Sequence, residues 1–291
     1  MTAPVQIPAP QFSSAIPVQK THLGHALASE WTKIRTVRST MWTLGVMLVL
    51  ILGINLLIDT LSSADRVYDP VLASGLFGVL LGQLCVITLG VLVISSEYGT
   101  GMIRTTLTAC PQRGRVLAAK AVVFFALTFT VTTVACVLTA LMNYATFAGK
   151  PVASDYTMYS DSQLVVAGGV SSASGAQWLG ATVGVGLYVA LLGLLSLAVG
   201  TLLRHSAGAI TTMLGVVLLP LIVAIFMQAD SMHTLRDKLI EYSSPNALAS
   251  LYRMPMLGSG HADGMPQLLA LAVVTAVALC GAYAVLAKRD V

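Results

Sequence analysis

The sequence predicts an all-α integral membrane protein, six transmembrane helices preceded by an N-terminal interfacial helix. Three observations carry this. Of its 291 residues, 56% are hydrophobic and 10% charged, whereas an ordinary soluble domain holds about 25% charged residues. Six apolar runs are each long enough, as helices, to cross a ~30 Å hydrocarbon core. Ten-residue alternation of apolar and polar positions, the signature of a membrane barrel, is absent. A soluble enzyme, a disordered regulator and a nucleic-acid binder are thereby excluded. Six spans also leave no stretch of ~100–150 residues for a soluble domain.

Residues 1–21 carry Pro4, Pro8, Pro10 and Pro17 and scattered apolar side chains, so a disordered N-terminal tail is expected. Residues 22–40 follow as an amphipathic interfacial helix, with Leu23, Leu27, Trp31 and Ile34 at helical spacing. A basic amphipathic helix with Trp at its boundary lies in the headgroup plane. Trp31 would be its anchor, with Lys33, Arg35 and Arg38 facing anionic lipid. The rest, 41–291, reads as one six-span domain, with spans at about 41–58, 71–94, 121–147, 177–203, 207–227 and 268–287. None of these runs contains Asp, Glu, Lys, Arg or His.

Gly78-x-x-x-Gly82 and Gly180-x-x-x-Gly184 lie within the second and fourth runs. Small residues four apart let backbones approach closely, and packing within one bundle is favoured over a dimer face. Pro220 removes an amide donor from the fifth run, so a kink is expected there. An even number of spans puts both termini on one side. That side holds eleven of the 16 Lys and Arg residues, which makes it cytoplasmic by the positive-inside bias and gives a multi-pass plasma-membrane protein.

Catalytic and metal chemistry finds no support. The four cysteines show no C-x-x-C spacing, and the histidines lie outside the apolar runs. His22 and His25 lack an evident third ligand. Ser172-Ala173-Ser174-Gly175 has no histidine in a span to serve as base. No G-x-x-x-x-G-K-S/T stretch is present, since Gly149-Lys150 runs into Pro151. Carriers that run on protons use ionisable groups within their spans, which the apolar runs lack.

The segment 95–120 carries the sharper signal. Glu97 closes the second span, Gly99-Thr100-Gly101 allows a sharp turn, and residues 102–107 read as a short amphipathic helix. Such a helix suits docking into a groove of a soluble partner and equally suits a positive-inside anchor loop.

In this segment and in the first helix, the chain resembles the ABC-2-type ABC transporter permeases. The similarity lies in Glu30-Trp31-Thr32-Lys33-Ile34-Arg35 and in the run from Ser95-Ser96-Glu97-Tyr98-Gly99-Thr100 through Arg104-Thr105-Thr106 to Pro111-Gln112-Arg113-Gly114-Arg115-Val116-Leu117 and Lys120. The resemblance implies the permease subunit of an ATP-driven exporter, paired with a second permease copy as a homo- or heterodimer. It implies docking of a separate ABC ATPase through Glu97, Tyr98, Thr100, Met102, Ile103, Arg104 and Leu107. The chain itself would hold no cofactor and catalyse nothing, ATP being bound by that partner. Besides the ATPase and the second copy, its contacts would be with membrane lipid and not with nucleic acid. The segment 241–256 would form short re-entrant helices or an ordinary lid loop. An ion-coupled secondary transporter and a non-catalytic membrane scaffold are the alternatives.

Overall fold

The computed structural model describes residues 22–62, 67–109, 112–152, 165–227, 230–254 and 263–288; the expected tail lies outside them. Helix α1 (Leu23–Thr36) ends where Val37 turns extended, and α2 (Arg38–Leu61) starts at the next residue. Then come α3 (Gly75–Gly99), α4 (Met102–Ala109) and α5 (Arg113–Phe147). A two-stranded antiparallel hairpin, β1 (Val165–Ala167) and β2 (Val170–Ser172), pairs Val166 with Ser171. The fourth long helix is composite. It runs from α6 (Gly175–Leu179) through a π turn (Gly180–Gly184) into α7 (Val185–Leu203). After α8 (Ser206–Phe226) come α9 (His233–Glu241), α10 (Ser244–Leu251) and α11 (Met265–Lys288). Among the described residues, six helices are long and apolar enough to cross a membrane: α2, α3, α5, α6–α7, α8 and α11.

Local chemistry sets the boundaries. Ser174 caps α6, accepting from Gln177 N, while the Gln177 side chain accepts from Ser174 N at 3.0 Å. Gly101, at φ +74°, turns the chain from α3 into α4. Arg204, at φ 54°, ends α7 in the left-handed conformation usually given to Gly. His205 then caps α8, its Nδ1 accepting from Gly208 N at 3.0 Å, so two residues join two long helices. α8 continues unbroken through Pro220.

The helices outrun the apolar runs. α5 starts at Arg113 rather than near residue 121, and α2 carries on to Leu61. Hydropathy marks a hydrocarbon thickness, whereas a helix ends only where its backbone hydrogen bonds find other partners. Ionisable Asp59, Glu97 and Lys120 therefore sit inside these helices. At the end of the bundle where α2 meets α3, Asp59 accepts from Asn55 Nδ2 (3.1 Å) and Ser74 Oγ (3.3 Å), and the Asn143 carboxamide of α5 lies 3.1 Å away.

The fourth span is the axis. Its apolar window is 72% buried, against 22% for α2 and α8 and 17% for α11. On α7, Gly186, Gly193 and Gly200 recur every seven residues, close to two helical turns, and so form one stripe. A Cβ at Gly193 would lie 2.8 Å from both Phe124 and Val86, and one at Gly200 3.1 Å from Val91 O. Both glycine pairs expected to pack within the bundle do so. Ile51 of α2 fills the notch of Gly78 and Gly82, while Leu251 of α10 lies against Gly180 and Gly184.

Gly78→Val should therefore be severe, since its Cβ would stand 2.6 Å from the Ile51 carbonyl oxygen. Overpacking against backbone costs about 1–3 kcal/mol or more. Thermal unfolding in detergent is expected to show a clear drop in midpoint for Gly78→Val. Gly53→Ala, with nothing within 4 Å of the added carbon, is expected to unfold like the native chain.

Candidate functional site

The end of the bundle that carries α1 and α4 contains a buried network of four charges. Lys120, two turns into α5, shares the inward pattern of Val116, Leu117, Val123 and Phe124, three and four residues to either side. Its side chain is only 1% exposed. Its Nζ donates to Glu97 Oε1 at 2.7 Å and to Glu30 Oε2 at 2.8 Å. Lys33 Nζ donates to the other Glu30 oxygen at 2.8 Å, to Glu97 Oε1 at 2.9 Å and to Thr106 Oγ1 at 3.5 Å. Two carboxylates and two ammonium groups thus balance one another, and they tie α1, α3, α4 and α5 together.

Burial explains the pairing. A lone charge at the Lys120 position would be held out of water with no compensation, a cost no small core can absorb. Glu97 also sits in the last turn of α3, where the helix dipole disfavours an anion by about 0.3–1 kcal/mol. Two ammonium groups within 2.9 Å outweigh that. Partial burial lowers the Lys33 pKa, but its bonds to Glu30 and Glu97 more than offset this and leave the pKa above its ordinary value.

The expected site residues separate into two groups. Glu97 is buried in the network and unavailable as a direct contact for a partner. Ile103, the intended groove contact, is 3% exposed and packs inside the chain, whereas Met102 beside it is 46% exposed. Tyr98 is half-buried, with the Arg204 guanidinium 5.1 Å over its ring, linking the end of α3 to the α7–α8 turn. Thr100 is exposed and its hydroxyl donates to Ser96 O at 2.8 Å, closing α3. The side chains of Arg104 and Leu107 lie outside the described residues. Trp31 and Arg35 of α1 and Arg38 at the start of α2 are exposed, but Lys33, expected to face lipid headgroups, instead directs its ammonium into the network. The face that α1 buries is that of Glu30 and Ile34.

Sequence reasoning missed Glu30 and Lys120 as a pair. The signal was present for Lys120, a lysine on the apolar face of its own helix, and hydropathy averaging conceals it. Between α1 and α4 lies a cleft of about 360 Å³, which the network reaches through Glu30 and Lys33 and which His25, Ser29, Met102 and Thr105 also line. His22 and His25 stack at its rim, ring centroids 3.8 Å apart. The cleft offers polar and apolar contact to a protein surface. Among the described residues, no group of His, Cys, Asp and Glu could hold a metal ion.

Lys120→Met is expected to destabilise the protein by about 3–5 kcal/mol, because Glu30 and Glu97 then share one ammonium. Adding Glu97→Gln should recover much of that loss, and unfolding midpoints of the two single variants and the double variant measure the coupling. Lys33 gives a pH dependence of known sign. Its pKa is raised in the folded state, so its contribution is fully present below its ordinary value of 10.5 and is lost as pH rises through the higher folded value. The midpoint difference between the native chain and Lys33→Met should stay level from about pH 6 to 10 and shrink only above that.

No known family model matches this chain, and no curated protein matches it.

Proposed function

We propose that the chain is the membrane-spanning subunit of an ATP-driven exporter of the ABC-2 type, with both termini and the α1–α4 cleft in the cytoplasm. Its partner is a separate ABC ATPase seated in that cleft, and a second permease copy completes the path for cargo in the plasma membrane. The observation that carries the reading is the position of α4. This short helix presents Met102 and Thr105 outward beside a cleft, while its inner side buries Ile103 and meets Lys33 of α1 through Thr106. A force applied by a partner to α1, or to α4 through Thr106 at Lys33, therefore reaches α3 and α5 together, through ion pairs 2.7–2.9 Å long. Apolar contact at Met102 supplies affinity, and the exposed basic side chains of Arg35 and Arg38 orient the encounter. The sequence has no phosphate-binding loop of its own, which accords with ATP hydrolysis on another subunit.

Met102→Asp is expected to lower co-purification of the ATPase at least a hundredfold without changing the unfolding midpoint, since an unpaired carboxylate in an interface costs several kcal/mol. Ile103→Asp should instead lower the midpoint, as its side chain is already buried in the chain. Normal ATPase binding by a folded Met102→Asp variant would overturn the docking assignment. For orientation, a membrane-impermeant thiol reagent applied to intact cells should label Tyr68→Cys and spare Thr105→Cys, both positions being exposed at opposite ends of the bundle. The reverse pattern would overturn the topology.

A further inference from the structure

At the end of the bundle away from the charge network, α10 is enclosed on every side, and all eight of its residues are buried. Ser243 caps it, accepting from Asn246 N at 3.4 Å, and Ser244 Oγ donates to Gln83 Oε1 of α3 at 2.8 Å. An inserted helix of two turns cannot fill the space between long helices evenly. It leaves a cavity of about 200 Å³ bounded by α7, α8, α10 and α11.

One end of this cavity is polar. Gln267 lines it and is only 3% exposed, yet neither its carboxamide oxygen nor its nitrogen has a hydrogen-bond partner among the described residues. Buried carboxamides are nearly always paired, because the desolvated donor and acceptor are otherwise uncompensated. The hydroxyls of Tyr188 and Ser244 belong to the same wall. Further along, the lining is aliphatic, with Leu195 from α7 and Val216 and Val274 toward the open side. Those two valines are 52% and 53% exposed, on α8 and α11, which are among the least enclosed spans. The mouth thus opens to the apolar flank of the bundle between α8 and α11. No charged side chain lines the cavity.

These features restrict the occupant. It must accept from and donate to one carboxamide, it must be uncharged for want of a counter-ion, and the rest of it must be apolar. At about 200 Å³ the space is smaller than the ~300–1,000 Å³ of drug-sized pockets, which suits a single chain whose end projects through the mouth. We propose that this cavity binds an uncharged single-chain amphiphile, with a hydroxyl, ester or amide head against Gln267, admitted sideways from the bilayer between α8 and α11. The site needs no ATP and no partner, so it stands or falls separately from the exporter reading.

The test uses the full chain in phosphatidylcholine nanodiscs and three photoreactive probes of equal chain length: a monoacylglycerol, the corresponding fatty acid and an alkyl trimethylammonium. The monoacylglycerol is expected to label peptides of α8 and α11, with the two charged probes at least tenfold weaker. Gln267→Leu, which loses no existing hydrogen bond, should fold normally and reduce monoacylglycerol labelling at least tenfold. Val274→Trp should block the mouth and abolish it. Equal labelling by all three head groups, or native labelling of the folded Gln267→Leu variant, would overturn the proposal. Because the ATPase is absent from the assay, loss of labelling and loss of ATPase co-purification are separate results.

Discussion

The mutual neutralisation of Glu30, Lys33, Glu97 and Lys120 is the constraint on which one end of the molecule depends. Without it α1 would be a loosely attached segment, since it buries only Glu30 and Ile34. Val37 breaks the helix between α1 and α2, so the direction of α1 is set by the ion pairs and the packing around them rather than by helix continuity. The same pairs allow Lys120 to occupy a core position that would otherwise call for leucine. A hydrophobic replacement of the whole network could be as stable. What the charged version adds is direction, because each ammonium must meet two carboxylates from two different helices, and this fixes how the helices are rotated about their own axes.

The two ends of the bundle solve the problem of burial differently. At one, charge meets charge at distances of 2.7–2.9 Å. At the other, Asp59 is met by neutral Asn55 and Ser74, and α10 is seated by a serine–glutamine bond to α3. Neutral partners bind less strongly than ions, but they can be exchanged for a ligand's groups at smaller cost. An end where buried charges pair with one another and an end where buried polar groups meet neutral partners suit the two readings made of them, a coupling surface and a cavity open to amphiphiles.

The six spans were legible in the sequence because apolar runs of the required length have few alternatives in a chain with 10% charged residues. The packing of Gly78 and Gly180 was legible for a similar reason, as four-residue spacing has one geometric meaning on a helix. Helix ends were not, since hydropathy falls off at Ala121 while the hydrogen bonds of α5 begin eight residues earlier. The segment 241–256 could be read as short re-entrant helices or as an ordinary lid loop. Sequence alone does not show the tertiary contacts, Leu251 against Gly180 and Ser244 against Gln83, that bury α10 within the bundle; residues 255 and 256 lie outside the described residues. Within the site, the direction of α4 was obscured because Met102 and Ile103 are both apolar, and which of two adjacent residues turns inward follows from the turn at Gly101. The seven-residue glycine spacing of α7 was visible in the sequence, but it lies outside the four-residue pattern that draws attention.

That spacing has a mechanical consequence. α7 acts as a keel, with Phe124, Val86 and the backbone at Val91 pressed directly on its glycines, so a small slide along it would drive atoms into one another. Stiffness is thereby concentrated in the middle of the molecule. Any change of shape must be borne at the periphery, by α2, α8 and α11, whose apolar windows are only 17–22% buried within the chain and so resist displacement least.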